Sequence, residues 1–341
     1  MIPEEKNLAV TKALRETFGV AVFDEIHRIP NGTFNKVQVY RIAVQGSVYL
    51  LRIILRSEDP TCHFTCMRAA ADAGLAPRVL STSVEDRISI TEFVEGAILF
   101  PRTEALVRVP RVLRALQALP RFPGRASHLN TSCTFLLQKG PGVDGILQCC
   151  RAVGVLPPGE VDELIARHAQ LASVCSVPQE EMAPSHNDLF KPDNILFDGG
   201  RVWLIDWEAA FLNDRYADLA AVANMIVTSE AEEECYLAEF FAQPPDEYQR
   251  ARFFLMQQVA HIFYTMAFLI LQAGAEPIDW SKSAPEYHEF QRRFWTGEVK
   301  LDDLACKIAC GRVHWDRVRR NAQSPRFAES IRIVSERRAA A

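Results

Sequence analysis

The pattern of apolar residues changes once along this chain, and that change limits the folds it can adopt. In the first hundred residues, short segments rich in Val, Ile, Tyr and Leu are separated by turn-forming residues. These segments, which predict strands, lie at 20–29, 36–44, 47–55, 78–83 and 87–93. After Gly96 the apolar residues follow helical spacing instead. Helical segments are predicted at 104–119, 159–174, 216–228, 230–241 and 247–272. A sheet-forming part followed by a helical part predicts an α+β protein.

The order of these segments predicts two lobes of unequal size. The first lobe, residues 1–95, combines about five antiparallel strands with one helix at 64–73, after a helical segment at 5–18. The second lobe, residues 96–341, is mainly helical. A chain of 341 residues exceeds what one compact core usually holds, so two lobes are expected.

Composition and charge exclude several classes of protein. The formal net charge is -5, without the clustered positive charge that nucleic-acid binding requires, so no nucleic-acid partner is expected. The apolar segment 259–275 is too short and too polar to span a membrane. The N-terminus lacks the basic start and apolar run of a signal peptide, and nine scattered cysteines do not suggest a disulfide framework. We therefore expect a cytoplasmic protein.

The segment 185–198, SHNDLFKPDNILFD, carries the residue types that phosphoryl transfer requires. Such a reaction needs a carboxylate that orients the attacking hydroxyl and accepts its proton, oxygen ligands for Mg²⁺, and positive charge near the phosphates. Asp188 is the candidate catalytic base, and Asn194 offers an amide oxygen to the metal. Lys191 offers a compact positive charge to a phosphate.

A second acidic group follows within the next few residues. The apolar segment 202–205 ends at Asp206, which places a carboxylate at the tip of a predicted strand. Glu208 would point to the same side as Asp206 if the chain remained extended. Two carboxylates and an amide form a hard-oxygen ligand set, which suits Mg²⁺ better than Zn²⁺.

These motifs resemble one known family. The order His-Asn-Asp at 186–188, Asn-Ile-Leu at 194–196 and Ile-Asp-Trp-Glu at 205–208 is similar to the protein-kinase-like small-molecule kinases. That family includes choline and ethanolamine kinases and aminoglycoside phosphotransferases. The His-Asn-Asp form and the acid two residues after Asp206 look closer to the choline/ethanolamine branch. The resemblance implies a protein-kinase-like fold with ATP and Mg²⁺ as cofactors.

The resemblance also implies roles for individual residues. Asp188 would be the catalytic base, and Asn194 and Asp206 would be metal ligands. Glu208 would be a second-metal or water-mediated ligand. Asp218 would anchor the catalytic loop or cap a helix. The acceptor would be the alcohol group of a small molecule.

The loop departs from the family pattern by one residue. The family places its asparagine five residues after the base, whereas Asn194 lies six after Asp188 and Asp193 occupies the fifth place. An extra residue near Phe190 would account for this spacing, since the run from Asn194 into the strand is preserved. Asp193 remains the alternative metal ligand.

The nucleotide contacts are predicted in the first lobe. The turn within 29–36 would let backbone amides approach phosphates, with Gly32 and Asn35 as contributors, although an ordinary hairpin is the alternative. By the resemblance, backbone groups near Phe93 and Glu95 would hold the adenine.

Arg52 is the predicted phosphate-binding residue of the 47–55 strand. Choline-kinase-like chains often show Leu-Arg at such a place, as this sequence does at Leu51-Arg52. The alternative is an exposed strand arginine. The acidic partner expected on the following helix is not evident, because Glu58 and Asp59 come slightly early.

The acceptor is less constrained by sequence. The second lobe is rich in aromatic residues, which could cage a quaternary ammonium group but are more often core residues. Choline or ethanolamine is the favoured acceptor. The alternatives are an aminoglycoside or another hydroxylated metabolite, or a nucleotide-binding pseudokinase.

Overall fold

The computed structural model describes residues 2–30, 36–95, 99–123, 156–175, 177, 181–269, 278–280, 283–301 and 304–340. In these ranges the strands are β1 (Glu25–Ile29), β2 (Val37–Val44), β3 (Ser47–Ile54), β4 (Val79–Ser83), β5 (Ile88–Glu92), β6 (Ala183–Ser185), β7 (Ile195–Phe197), β8 (Val202–Leu204) and β9 (Phe211–Asn213). The helices are α1 (Asn7–Phe18), α2 (Thr61–Asp72), α3 (Arg102–Gln117), α4 (Pro158–Cys175), α5 (Ala217–Ile226), α6 (Glu230–Phe241), α7 (Glu247–Leu269), α8 (Tyr287–Trp295), α9 (Leu304–Ala322) and α10 (Pro325–Ala339).

The chain forms two compact units. The sheet unit comprises the described residues within Met1–Leu99, Leu119–Pro123 and Asp193–Ala210. The helical unit comprises those within Phe100–Ala118, Gly124–Pro192 and Phe211–Ala341. The division of the chain into domains 1–95 and 96–341 stays a prediction.

The sheet unit is built on a five-stranded antiparallel sheet. Its strand order is β1-β2-β3-β5-β4, and each neighbouring pair is antiparallel. On β3, Leu51 and Ile53 are buried against α1 residues such as Leu14, whereas Arg52 points to the opposite face. The alternation along β3 therefore separates core residues from the side chain predicted to bind phosphate.

A hairpin from later in the chain joins the same unit. Strands β7 and β8 pair antiparallel, and the Leu204 amide donates to the Leu75 carbonyl at 2.8 Å. Leu75 follows Gly74, which lies just beyond the end of α2. The φ of Gly74 is +71°, a left-handed conformation that favours glycine. The hairpin thus brings the segment after β8 into the sheet unit.

The helical unit is organised around α7. This helix packs against α5, α9, α10 and α4, and it contributes large buried side chains such as Phe253 and Leu255. A short two-stranded sheet, β6 with β9, pairs Ser185 with Phe211. The loop that follows β6 therefore starts beside the beginning of β9, and the turn that follows β9 starts beside the beginning of β6.

No helix in the described part of the chain combines the length and apolarity that a bilayer-spanning helix requires.

Candidate active site

The catalytic loop predicted from sequence follows β6 and is anchored by Asp218 at the start of α5. The backbone amides of His186 and Asn187 donate to the two carboxylate oxygens of Asp218, at 2.6 and 2.8 Å. Burial raises the pKa of the Asp218 carboxyl, and the two amide donors oppose that shift. Asp218 thus takes the loop-anchoring position that the sequence predicts for it.

The residue before the predicted base is held by further contacts. Asn187 has a left-handed backbone conformation, with a φ of 66°. The side-chain amide of Asn213 donates to the side-chain oxygen of Asn187 at 2.7 Å. The side-chain amide of Asn187 donates in turn to the Ser185 carbonyl at 3.2 Å. These hydrogen bonds fix a strained backbone, which is a common arrangement at functional sites.

Asp188 and Lys191 are brought together in this loop. The Lys191 ammonium lies 2.6 Å from the Asp188 carboxylate, and the two side chains are 52% and 24% exposed respectively. A carboxylate on an anchored loop that retains contact with solvent can receive a substrate hydroxyl. The adjacent ammonium provides positive charge at the same place.

Phe190 lies where the sequence predicts one extra loop residue. Its ring is buried in the helical unit, stacked on Tyr264 with centroids 3.8 Å apart. The rings of Phe294 and His314 lie 5.1 Å away. The loop is therefore attached to the helical core at one apolar point between Asp188 and Lys191 in sequence.

A buried ion pair holds the turn between β9 and α5. Arg252 of α7 pairs with Asp214, and both side chains are almost completely buried. The second Asp214 oxygen accepts from the Tyr216 amide at 2.9 Å. This turn leads directly to Asp218, so the ion pair supports the anchor of the catalytic loop.

The predicted metal ligands Asn194 and Asp206 flank the hairpin of the sheet unit. The Ile205 amide donates to the Asn194 carbonyl at 3.0 Å, which ties the two ends of the hairpin together. The Asn194 residue is buried, whereas Asp193 is exposed. Asp206 directly follows the end of β8, near the strand tip where the sequence predicts it.

The expectation of an extended chain after Asp206 is wrong. Asp206 has a left-handed backbone conformation, with φ 66° and ψ 60°, and a short 3-10 helix follows at Trp207–Ala209. Asp206 and Glu208 nevertheless approach the same guanidinium group. The helical turn, rather than strand alternation, brings the two carboxylates together.

That guanidinium belongs to Arg52. One terminal nitrogen, Nη1, lies 2.7 Å from the Asp206 carboxylate, and the other, Nη2, lies 2.8 Å from the Glu208 carboxylate. Burial lowers the pKa of Arg52, but the two carboxylates outweigh that effect and the net shift is upward. The acidic partners of Arg52 therefore lie after β8, in positions that the sequence assigned only to metal binding.

Sequence reasoning missed one member of this cluster. Arg56, just after β3, lies 2.9 Å from the same Glu208 oxygen that contacts Arg52. Its backbone carbonyl accepts from the Arg87 side chain at 2.8 Å. The available signal was its position four residues after Arg52, since an even spacing along an extended segment returns a side chain to the same face.

The helix after β3 is α2, where the family pattern would place an acidic partner for Arg52. His63 and Cys66 of α2 are buried, and Asp59 accepts hydrogen bonds from Thr61 at the start of the helix. Glu58 approaches Arg56 at 3.7 Å. The two early acids thus have local partners.

Among the remaining predicted nucleotide contacts, Gly32 and Asn35 lie outside the described residues. Phe93 is half-buried after β5, and the Arg41 guanidinium lies 5.8 Å from its ring centroid. Glu95 is exposed and pairs with Arg41 at 3.4 Å. Arg41 therefore contacts both predicted adenine-binding residues.

The aromatic residues of the helical unit lie largely in its core. Phe290, Phe294, Trp295 and Tyr264 are buried. The Trp295 indole donates to the Phe100 carbonyl at 2.8 Å.

The chain is similar in sequence to one known protein family. The model of the phosphotransferase enzyme family (APH) matches residues 25–254, about two thirds of the chain. No curated protein sequence is significantly similar to the chain.

Solved structures support the fold prediction. A choline/ethanolamine kinase family protein from Mesorhizobium loti has a TM-score of 0.65 at 19% identity, covering 96% of this chain and 99% of that one. A choline kinase from Cryptosporidium parvum has a TM-score of 0.63 at 12% identity, with coverages of 96% and 98%.

A spectinomycin phosphotransferase, solved with ADP and spectinomycin, has a TM-score of 0.55 at 11% identity, covering 89% of this chain and 97% of that one. These likenesses confirm the predicted α+β, protein-kinase-like fold class. Together with the family match, they confirm the resemblance found in the sequence. The chain therefore belongs to the phosphotransferase enzyme family.

Proposed function

We propose that this protein transfers the γ-phosphoryl group of ATP, in the presence of Mg²⁺, to an alcohol group of a small molecule. The observation that carries the proposal is the anchored catalytic loop. Asp188 keeps a partly exposed carboxylate, beside Lys191, on a loop whose backbone is bonded to buried Asp218. Within a phosphotransferase family, such a carboxylate is suited to act on an acceptor hydroxyl.

In this reaction Asp188 orients the acceptor hydroxyl and accepts its proton. The acceptor oxygen forms a bond to the γ-phosphorus while the bond from that phosphorus to the β–γ bridging oxygen breaks, which releases ADP. Lys191 offsets negative charge near the transferring group. Most of the catalytic effect would come from positioning and charge stabilisation rather than from covalent chemistry on the protein.

The residues around β7 and β8 fit a divalent cation. Asp206 and Glu208 already converge on one cationic group, the guanidinium of Arg52, and both are hard-oxygen ligands. Asn194, with Asp193 as the alternative, would add a neutral or charged oxygen. Bound Mg²⁺ would offset charge on the nucleotide phosphates.

The nucleotide contacts are part of the same proposal. Arg52 would bind phosphate oxygens, with Gly32 and Asn35 of the preceding turn contributing backbone amides. Backbone groups at Phe93 and Glu95 would hold the adenine. The guanidinium of Arg52 carries one buried nitrogen, Nε, without a hydrogen-bond partner in the part of the chain that the structure describes.

The favoured acceptor is choline or ethanolamine. Support comes from the His-Asn-Asp loop and from Glu208, two residues after Asp206, in a fold similar to choline/ethanolamine kinase family proteins. An aminoglycoside or other hydroxylated compound is the second candidate, because the fold is also similar to a spectinomycin phosphotransferase.

A panel of acceptors tests this proposal. Purified protein is incubated with Mg–ATP and choline, ethanolamine, aminoglycosides or polyols, and ADP release is measured alongside the mass of the acceptor. We expect ADP together with phosphorylated choline or ethanolamine. Phosphorylation of an aminoglycoside instead would replace the favoured acceptor by the second candidate. Nucleotide binding without turnover on any hydroxyl compound would indicate the pseudokinase alternative.

A further inference from the structure

The acids that follow β8 are already neutralised by arginines of the sheet unit. Arg52 contacts both Asp206 and Glu208, and Arg56 contacts the same Glu208 oxygen as Arg52. Each of the two acids is therefore already paired with at least one guanidinium group. The side chains of Arg52 and Glu208 are only 12% and 10% exposed, so water screens their attraction weakly.

The two arginines differ in which acid they hold. Arg52 lies 2.7 Å from Asp206, whereas the contacts of Arg56 are with Glu208 at 2.9 Å and Glu58 at 3.7 Å. If Arg52 moved away, Glu208 would still have Arg56 as a partner. Asp206 would lose its contact with the Arg52 guanidinium. Arg52 is therefore the residue whose movement changes the charge available at Asp206.

We infer that Arg52 stands in for the divalent cation at Asp206, so that metal binds well only after nucleotide phosphates have drawn the guanidinium away. This inference rests on the proposed function, since it assigns the order in which that site is filled. Arg52 is then an exchanging residue: it pairs with carboxylates before the nucleotide binds and with phosphates afterwards. Arg56 is a positioning residue, which keeps Glu208 neutralised throughout.

The change of partner by Arg52 favours metal binding only when nucleotide is present, because the nucleotide supplies the phosphates that replace the carboxylates. A divalent cation that approaches the nucleotide-free cluster meets carboxylates that are already paired with arginine, and it must displace a nearly buried guanidinium. Phosphate oxygens offer Arg52 an equivalent partner, because a guanidinium binds carboxylate and phosphate with the same fork of donors. Asp206 is then released as an anionic ligand.

The test measures binding of Mn²⁺ to the nucleotide-free protein by electron paramagnetic resonance, with no turnover involved. Wild type is compared with Arg52→Gln, with the double variant Arg52→Gln/Asp206→Asn, and with Arg68→Gln. Arg68 is an exposed residue of α2 in the same unit that donates to Thr82, so it controls for the loss of one positive charge. Circular dichroism and thermal unfolding check that each variant is folded.

We expect Arg52→Gln to bind Mn²⁺ about tenfold more tightly than wild type, because one carboxylate charge is no longer countered. The double variant should lose that gain, which would locate it at Asp206. Arg68→Gln should match wild type. If Arg52→Gln does not fold, Arg52→Lys replaces it; a single ammonium holds one carboxylate less firmly than the guanidinium fork, so a gain of about threefold is expected.

Equal Mn²⁺ affinity in wild type and the folded Arg52 variant would overturn the inference. A gain that persists in the double variant would also overturn it, since the metal would then bind elsewhere. These outcomes leave the proposed function intact if wild type still binds Mn–ATP and phosphorylates an acceptor. Failure of wild type to bind Mn–ATP would remove the proposed function and the inference together.

Discussion

In the sheet unit, Asp206 and Glu208 retain some exposure and meet arginines, whereas in the helical unit Asp218 is buried and accepts hydrogen bonds from backbone amides. The first arrangement joins side chains that can change partners when a charged ligand arrives. The second joins a side chain to the backbone and is completed before any ligand binds. The acids after β8 can thus exchange partners, whereas the backbone of the loop after β6 is fixed in advance.

The buried ion pair of the helical unit offers the largest test of this difference. Arg252→Met leaves Asp214 buried without its cation, and we expect a loss of about 4 kcal/mol in the free energy of unfolding. Arg332→Met, which removes exposed contacts to Glu329 and Glu336, should cost far less, because water and salt screen these contacts. Urea unfolding measures both. Similar losses in the two variants would show that burial does not distinguish them.

A change at Asp206 should lower activity at the proposed metal site. Asp206→Asn keeps the size of the side chain but removes the charge proposed to hold Mg²⁺, so we expect activity to fall by about a hundredfold, equivalent to about 2.7 kcal/mol. Initial rates over a range of Mg²⁺ concentrations measure the effect. Urea unfolding measures separately the stability lost with the Arg52 ion pair. Full activity at ordinary Mg²⁺ concentrations would remove Asp206 from the metal site.

The helical unit also contains buried neutral histidines, whose protonation opposes folding. The Nδ1 atoms of His261 and His314 lie 2.7 Å apart. Burial lowers the pKa of His314 to about 3. The unfolded chain therefore binds protons below about pH 6.5 that the folded chain does not, so stability falls as the pH falls from about 6.5.

Between pH 7 and pH 5 this effect should remove about 2 kcal/mol for His314 alone. His314→Gln should show a correspondingly smaller decrease over the same interval, measured by urea unfolding at each pH. An identical pH dependence in wild type and variant would mean that His314 takes up its proton in the folded state.

The smallest expected effect is at the apolar attachment of the catalytic loop. Phe190→Leu keeps an apolar side chain but loses ring contacts with Tyr264, and we expect a loss of about 1 kcal/mol in stability. If the attachment positions the loop, kcat should fall while KM for ATP stays constant. Phe190→Tyr, which retains the ring, should recover kcat if the added hydroxyl is accommodated. A change in KM alone would argue against loop positioning.

Much of the fold could be predicted because its signals are local. Segments rich in Val, Ile, Tyr and Leu between turn-forming residues identified β2 and β3 within one residue, and Gly74 marked the end of α2. Sequence periodicity assigns no helix beyond residue 272, although α8, α9 and α10 follow. In α9 the buried face includes Gly311 and His314, which weakens the apolar repeat.

A candidate site could be predicted from sequence where one segment carries the groups, as in the loop with Asp188 and Lys191, whose roles stay predictions. It was less predictable where distant segments meet. The pairing of Arg52 with Asp206 spans more than 150 residues, and so does the contact of Arg56 with Glu208. The left-handed conformation of Asp206 also replaced the extended chain that strand periodicity suggested.

The most direct test of the proposed reaction is a single-turnover measurement with Asp188→Asn. The substitution keeps the shape of the side chain but removes the proton acceptor, so transfer to the acceptor should slow by about a thousandfold, while ATP affinity stays within about twofold. Asp72→Asn, at an exposed position on α2, should match wild type. Unchanged transfer in a folded Asp188→Asn protein would contradict the assignment of Asp188 as the catalytic base.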